Sequence, residues 1–251
     1  MNLTDTHAHI CDQSFDADRD QIIRQAENAG ISHIIAVSET LDDIKKNLTL
    51  AEKFPQILVA GGLCPEHLDL DQTESIINYI RDNRERFIAI GEVGLDFWIV
   101  QDDSQKELQK EIFGKFIDLA IKLDLPLNVH SRSAGRQAVQ LLLEKNAKRV
   151  QMHAFDGKYS AALPAIEAGY FFSMPPSVNR SPQKQKLIKR LPLSVLLLES
   201  DSPVLGPDPK TRNEPANLLI GLEAISKLTK NPRKKVIQAV IENTSRLYGI
   251  K

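Results

Sequence analysis

The sequence is poor in cysteine, in long apolar runs and in charge of one sign. Its two cysteines, Cys11 and Cys64, are too few for a disulfide framework and form no Cys-x-x-Cys metal or redox pair. No apolar run reaches the roughly 18–20 residues that span a bilayer, and the N-terminus lacks the basic and apolar regions of a signal peptide. We therefore expect a cytoplasmic protein in a reducing compartment, without a membrane partner.

The charge balance excludes two classes of protein. Thirty-two basic and 33 acidic residues leave a formal net charge of −1, which argues against a broad cationic nucleic-acid-binding surface and against an acidic disordered tail. A local positive site remains possible on such a chain. A hydrophobic content of 42% with 26% charged residues is ordinary for a globular protein with a full core.

Short apolar runs alternate with helix-like segments from one end of the chain to the other. Eight runs predict strands, namely Leu3–His9, His33–Ser38, Ile57–Cys64, Phe87–Val93, Leu127–His130, Val150–Phe155, Tyr170–Met174 and Val195–Ser200. The 251 residues then give about 31 residues per unit, which is typical of a (β/α)8 TIM barrel.

The predicted fold is therefore of the α/β class, a single TIM barrel domain over residues 1–251. The segment Pro232–Tyr248 predicts an additional helix at the C-terminal end. An open doubly wound sheet is the main alternative, but no Gly-x-Gly-x-x-Gly motif follows the first predicted strand.

Four of the six histidines lie where predicted strands end. His7 and His9 end the first strand, His130 ends the fifth, and His153 lies near the end of the sixth. Residues two apart on a strand point to the same side, so the His7 and His9 imidazoles face one way. Because barrels collect their chemistry at the C-terminal ends of the strands, we expect all four imidazoles on one rim.

Two carboxylates are predicted on the same rim. Glu92 ends the fourth strand and Asp201 follows the eighth. An unpaired buried carboxylate is costly, so Glu92 needs a cation. Four imidazoles and two carboxylates exceed the three protein ligands of one open tetrahedral site, and they suit two divalent ions bridged by a carboxylate. The resulting positive pocket favours phosphate esters over neutral substrates.

The motifs around these residues resemble the TatD family of metal-dependent deoxyribonucleases, within the amidohydrolase-like TIM barrels. The resemblance covers the whole chain, and several variants resemble the branch of the third TatD-domain paralogue of animals. Its carriers are Asp5-Thr6-His7-Ala8-His9, Phe15-Asp16-Ala17-Asp18-Arg19, Gly91-Glu92-Val93-Gly94-Leu95-Asp96, His130-Ser131-Arg132, His153-Ala154-Phe155-Asp156-Gly157, Glu199-Ser200-Asp201-Ser202-Pro203 and Arg212-Asn213-Glu214-Pro215.

The resemblance implies a ligand set and a reaction. One metal would be held by His7, His9 and Asp201, the second by His130 and His153, with Glu92 bridging both. Asp201 and Glu92 would be the catalytic residues, and Asp201 would orient or deprotonate the attacking water. The implied activity is hydrolysis of DNA phosphodiester bonds by a metal-bound hydroxide, in the manner of an exonuclease. The two divalent ions are Zn, Mn, Ni or Mg, and imidazole ligands favour the first three.

Four further residues are predicted to contact the substrate. Arg132, beyond His130, can bind a phosphate bidentately, and Arg212 with Asn213 lies in the loop after strand eight, where barrels often bind phosphate. Salt bridges or loop bracing are the alternative roles for these three. Cys64 stands where family members have a histidine that approaches the substrate phosphate, and Ser133 stands where they commonly have Asp.

Two groups of residues near the rim are assigned packing or surface roles. Trp98 is expected to pack beneath its loop, with stacking on a nucleobase as the alternative. Lys184, Lys186, Lys189 and Arg190 are expected to form the solvated face of a helix.

Two other functions stay open at this point. The same two-metal site would serve a hydrolase of a small amide, lactone or phosphate monoester, and an inherited barrel could act as a non-catalytic binding protein. The leading prediction has DNA or an oligonucleotide as its partner, with a phosphate at the metal site, and the protein acting as a monomer.

Overall fold

The computed structural model describes residues 2–250, which contain a sheet of eight parallel strands hydrogen-bonded in sequence order. The strands are β1 (Leu3–Ala8), β2 (Ile31–Ala36), β3 (Ile57–Gly61), β4 (Ala89–Gly94), β5 (Leu127–His130), β6 (Val150–Met152), β7 (Phe171–Met174) and β8 (Leu196–Leu198).

Helices follow the strands around the outside of the sheet. They are α1 (Arg19–Asn28), α2 (Leu41–Lys53), α3 (Leu70–Asp82), α4 (Asp103–Leu123), α5 (Gly135–Glu144), α6 (Tyr159–Glu167), α7 (Pro182–Ile188), α8 (Leu218–Thr229) and α9 (Arg233–Tyr248). Side chains at several N-termini accept a backbone N–H, as Thr40, Asp69 and Asp102 do for α2, α3 and α4.

Hydrogen bonds close the sheet between its first and last strands. Thr6 Oγ1 donates to the Leu198 carbonyl at 2.9 Å, and the Asp201 N–H donates to the His7 carbonyl at 2.9 Å. Helix α9 packs against both β1 and β8. The predicted TIM barrel with an additional C-terminal helix is confirmed, and the doubly wound alternative is wrong because the strand order runs from β1 to β8 without reversal.

Several strands end earlier than the sequence predicts, which moves the predicted ligands His9 and His153 into rim loops and places Asp201 farther from its strand. His9 follows β1, His153 follows β6 and Asp201 lies three residues beyond β8. Ala154 and Asp201 have positive φ angles of 41° and 54°, a left-handed conformation that leaves the strand ladder. The chain therefore turns at the rim, and these side chains are set by the turns as well as by the strands.

A chain of buried polar side chains runs through the barrel interior from α9 to the rim. Tyr248 Oη donates to Gln151 Oε1 at 2.6 Å, and Gln151 Nε2 donates to Ser173 Oγ at 2.8 Å. Ser173 Oγ in turn donates to Glu199 Oε2 at 2.5 Å. Each of these buried groups has a hydrogen-bond partner in the next, so Tyr248, Gln151 and Ser173 together fix the position of Glu199.

Within residues 2–250, no helix combines the length and apolar character that a membrane crossing requires.

Gly62 and Gly114 offer a matched test of the packing below the rim. A Cβ on Gly62 would lie 2.5 Å from the Glu92 carbonyl oxygen and 2.7 Å from the Gly91 carbonyl carbon. The backbone of β4 can move away from this Cβ only by distorting the sheet. We therefore expect Gly62→Ala to lower the free energy of unfolding by about 1–3 kcal/mol and Tm by about 2–10 °C in a thermal unfolding measurement.

Gly114→Ala is the control, because its Cβ would meet only the flexible end of Lys145 at 3.0 Å. Gly114 lies inside α4, where alanine is favoured over glycine by about 0.5–1 kcal/mol, so Tm should stay unchanged or rise. An equal loss of Tm in both variants would contradict this account of the Gly62 contact.

Candidate metal centre

Glu92 lies at the centre of a cluster of imidazoles on the C-terminal rim of the barrel. Its Oε2 is 3.5 Å from Nε2 of His7 and 3.5 Å from Nε2 of His9. Its Oε1 is 2.6 Å from Nδ1 of His130 and 3.8 Å from Nε2 of His153. The two oxygens of one buried carboxylate therefore face two different pairs of histidines.

The first group of ligand atoms consists of His7 Nε2, His9 Nε2, Glu92 Oε2 and Asp201 Oδ1. The two imidazole nitrogens are 3.3 Å apart, and Asp201 Oδ1 lies 3.6 Å from His7 Nε2 and 3.4 Å from His9 Nε2. An ion bound tetrahedrally at about 2.0–2.1 Å separates its ligand atoms by about 3.3–3.4 Å. The group therefore has the spacing that a divalent ion such as zinc requires.

Asp201 supplies a second indication that the cluster fits a cation. Its Oδ1 is buried, and none of residues 2–250 gives it a hydrogen bond. A buried carboxylate oxygen that accepts no hydrogen bond is costly, and a bound cation would satisfy it. Asp201 Oδ2 faces the other group, 3.9 Å from His153 Nε2.

The second group of ligand atoms is formed by His130, His153 and Glu92. His130 contacts carboxylates through both ring nitrogens, with Nδ1 at 2.6 Å from Glu92 and Nε2 at 2.9 Å from Asp96. Ion binding here requires a His130 nitrogen to give up a proton, because the coordinating atom must present its lone pair.

Two imidazoles are oriented by partners deeper in the barrel. His7 Nδ1 lies 2.8 Å from Asn128 Oδ1, and His153 Nδ1 lies 3.0 Å from Glu199 Oε2. These contacts leave Nε2 of each ring facing the centre. Hydrogen bonds of this kind fix the tautomer and raise the basicity of a metal-binding histidine.

The charges of the cluster shift the pKa of its members in opposite directions. Burial alone would lower the pKa of His7, but the carboxylates of Glu92 and Asp201 raise it to about 10. Burial also opposes protonation of His130, yet hydrogen bonds to Asp96 and Glu92 raise its pKa to about 10. Burial would raise the pKa of Glu92, but His7 and His130 hold it well below its ordinary value.

Asp201 and Asp5 behave differently although both are buried. Burial favours the neutral form of Asp201, but the imidazoles of His153, His9 and His7 lower its pKa below the ordinary value. For Asp5 the effect of burial outweighs the hydrogen bonds from Ser200 and His7, so its pKa is raised to about 7. Asp5 Oδ1 accepts the N–H groups of Ser200 and His7, at 2.8 and 3.3 Å, and thereby ties β1 to the segment that carries Asp201.

Arg212 and Asn213 brace the loop after β8. Arg212 donates to both carboxylate oxygens of Asp18, at 2.9 and 2.6 Å, and also to Glu214 at 3.3 Å. Asn213 is only 1% exposed, and its Nδ2 donates to the carbonyls of Ser200 and Val204. The side chain of Asn213 is enclosed by the protein and the Arg212 guanidinium is paired with carboxylates, which are the contacts of a bracing role, and the substrate contact of these two residues stays a prediction.

The other predicted substrate residues lie near the centre. Arg132 lies on the rim, with its guanidinium 3.7 Å above the Trp98 ring and Nη1 4.0 Å from Asp96. Trp98 is 60% exposed, so the expectation that it packs beneath its loop is wrong. Cys64 is buried beside the cluster, and burial together with the charge of Glu92 raises the pKa of its thiol. An uncharged thiol offers a phosphate no electrostatic attraction.

The sequence reasoning missed four residues that serve the centre or its surroundings. Asn128 precedes His130 by two positions on β5, and this period of two signals a shared face. Glu199 directly follows the apolar run of β8, and Asp96 is the last residue of the motif that contains Glu92. Lys184 carries no such signal. Lys184 was expected on a solvated face, but it is only 8% exposed, because α7 turns this one lysine toward the rim.

A (β/α)8 barrel whose rim gathers four imidazoles around a shared carboxylate defines the class of metal-dependent hydrolases. A family model described as TatD related DNase matches residues 4–249. The chain belongs to this family, as its motifs predicted.

Named relatives and a solved structure agree with this assignment. Deoxyribonuclease TATDN3 of Homo sapiens is 40% identical over 260 residues, covering 99% of this chain and 95% of that protein. The uncharacterized metal-dependent hydrolase YabD of Bacillus subtilis is 31% identical, with 99% of both chains covered. The crystal structure of YJJV, a TatD homolog from Escherichia coli K12, matches with a TM-score of 0.92 at 26% identity, covering 99% of this chain and 98% of that one.

Metal binding should release protons at neutral pH. In the metal-free protein His7 and His130 have pKa values of about 10, so both are protonated at pH 7 and must lose their protons to bind an ion. We expect at least two protons released at pH 7, because the pKa of His9 is raised as well, and a metal affinity that rises with pH toward about 10. Calorimetric titration with zinc in buffers of different ionisation enthalpy measures this number.

The exposed rim histidine His67 gives the control, since His67→Ala should leave the number of released protons unchanged. Zinc binding at pH 7 without proton release would show that the imidazoles are neutral in the metal-free protein.

Glu199→Gln should weaken metal binding without removing a ligand from the first group. The variant replaces the carboxylate that holds His153 Nδ1, and loss of such a partner typically costs 10–100-fold in metal affinity. Competition with a chromogenic chelator measures the change, and Glu85→Gln, at an exposed carboxylate in the turn between α3 and β4, is the matched control. An unchanged affinity in Glu199→Gln would contradict an orienting role for this residue.

Proposed function

We propose that this protein is a hydrolase of DNA phosphodiester bonds that works with two divalent ions. The observation that carries the proposal is that the two carboxylate oxygens of Glu92 face different histidines. Oε2 faces His7 and His9, whereas Oε1 faces His130 and His153. A carboxylate placed in this way suits a bridge between two ions. We infer zinc, manganese or nickel in preference to magnesium, because the donor set is rich in imidazole.

The chemistry of the reaction is divided between the ions and the protein. Bound divalent ions lower the pKa of water and neutralise charge that develops on phosphoryl oxygens. Asp201 orients or deprotonates the attacking water, because its lowered pKa keeps it ionised at neutral pH and its carboxylate faces both groups of ligand atoms. Asn128 and Glu199 hold His7 and His153 in orientation, so the ligand atoms are in place before substrate binds.

The choice of DNA as the substrate rests on charge and on the relatives. Arg132 presents a half-exposed guanidinium at the rim, which suits a phosphate. The human relative that covers almost this entire chain is named a deoxyribonuclease. A net charge of −1 provides no extended basic surface, so we infer action on DNA ends or short oligonucleotides. All six proposed ligands come from one chain, which permits a monomer to act alone.

Chelation and two substitutions test this proposal. A chelator should abolish cleavage of a labelled oligonucleotide, and zinc, manganese or nickel should restore it. Asp201→Asn removes the proton acceptor and Glu92→Gln removes the bridge, so each should lower kcat by at least about 10³-fold. Elemental analysis of the same reconstituted sample should give about two ions per chain.

Glu66→Gln, at an exposed carboxylate in the loop after β3, is the control and should retain full activity. A substrate panel of oligonucleotides, phosphate monoesters, lactones and amides decides the reaction class. Hydrolysis of a lactone or an amide without cleavage of any phosphodiester would overturn the proposal, as would unchanged turnover in Asp201→Asn.

A further inference from the structure

A cavity of about 420 Å³ opens on the rim directly beside the metal centre. Its wall includes His130, His153 and Asp201, so a molecule bound at the centre has this cavity as its neighbouring space. The volume falls in the range of about 300–1,000 Å³ that is usual for small-ligand sites. The cavity is therefore larger than the scissile phosphate alone requires.

Lys184 lines this cavity as a buried cation without a counter-ion. Its side chain comes from α7, and its Nζ donates to the Ala154 carbonyl, which leaves two N–H donors unused. No carboxylate in the part of the chain that the structure describes lies within 4.0 Å of Nζ, and Glu199, Asp156 and Asp201 act on it only from farther away. Burying an ammonium group is costly unless an anion pairs with it.

Two neighbours complete a site for an anion. Ser131 Oγ is buried on the cavity wall and has no hydrogen-bond partner in residues 2–250. Arg132 lines the same wall, held against the Trp98 ring. The Asp156 carboxylate also lines the cavity and accepts the Ser133 N–H at 3.4 Å. Two cations, Lys184 and Arg132, therefore share this wall with the carboxylates of Asp156 and Asp201, and an ion bound by Asp201 would leave the wall with a net positive charge.

The remaining wall is apolar. Val204 and Leu205 follow Asp201 and line the cavity, and Val204 is largely exposed. An apolar surface next to a cationic wall suits a nucleoside that carries a phosphate, because the sugar and base can pack on the former while the phosphate pairs with the latter.

We propose that this cavity binds the terminal nucleotide of the substrate and that Lys184 binds its terminal phosphate monoester, a specificity that rests on the proposed phosphodiesterase function. The substrate class is then DNA that ends in a phosphate. Hydrolysis at the metal centre releases the nucleotide that the cavity holds. Lys184 selects the substrate and takes no part in breaking the bond.

The test uses three thymidine dinucleotides that differ only at their ends. One has no terminal phosphate, one has a 5′-phosphate and one has a 3′-phosphate, and kcat/KM is measured for each. We expect one phosphorylated dinucleotide to exceed the unphosphorylated one by about 10- to 100-fold, since a charge-assisted hydrogen bond to a buried cation is worth a factor of that order. The favoured end identifies the orientation of the bound strand.

Three variants assign this preference to Lys184. Lys184→Gln removes the charge but keeps an N–H donor for the Ala154 carbonyl. It should reduce the ratio of kcat/KM for the favoured phosphorylated dinucleotide to kcat/KM for the unphosphorylated one to near one. Lys184→Arg should restore part of the ratio. Lys186→Gln, at an exposed lysine of the same helix, is the matched control and should keep the ratio of the unmodified protein.

A binding measurement that does not depend on turnover completes the test. In the presence of a chelator, thymidine 5′- or 3′-monophosphate should shift the NMR signals of the Val204 and Leu205 methyl groups, and Lys184→Gln should weaken this binding about 10- to 100-fold. Cleavage of all three dinucleotides with equal kcat/KM, or a ratio unchanged in Lys184→Gln, would overturn the subsite alone. Failure to cleave any dinucleotide with every metal would overturn the proposed function and the subsite with it.

Discussion

The need to compensate one buried negative charge organises this protein. Glu92 is enclosed by the barrel rim, where water cannot solvate it, so its charge must be balanced by groups that the fold brings to it. His7 and His130 do so in the metal-free chain, and each is held protonated by the carboxylates around it. The same carboxylate that draws protons onto the imidazoles would also hold a metal ion, whose binding requires those protons to leave. The centre would therefore exchange one kind of positive charge for another.

Residues below the rim hold the imidazoles of the centre in orientation. Asn128 and Glu199 each occupy one nitrogen of an imidazole and leave the other toward the centre. Both lie on or next to barrel strands, which are the most rigid elements of the fold. The rim loops carry His9, His153 and Asp201 together with Trp98, whereas His7, Glu92 and His130 lie on strands. Strands and rim loops of the barrel therefore both contribute groups to the centre.

Most of the fold and of the ligand set follows from the sequence because both depend on local periodicity. Apolar runs at regular spacing indicate the strands, and residues that end parallel strands must meet on one rim, which placed His7, His130 and Glu92 correctly. The roles of Arg212 and Lys184 depend on how loops and a short helix fold back over the rim. Arg212 meets Asp18 across 194 residues of sequence, and no local pattern encodes such a pairing.

The polar chain that starts at Tyr248 links the last helix to the centre. Tyr248 bonds to Gln151, which leads through Ser173 and Glu199 to the ring of His153. During synthesis on the ribosome, His153 is made about 95 residues before this tyrosine. The chain of hydrogen bonds is complete only when α9 is docked against β1 and β8. A nascent chain therefore lacks the last link in the support of His153 until Tyr248 has been made.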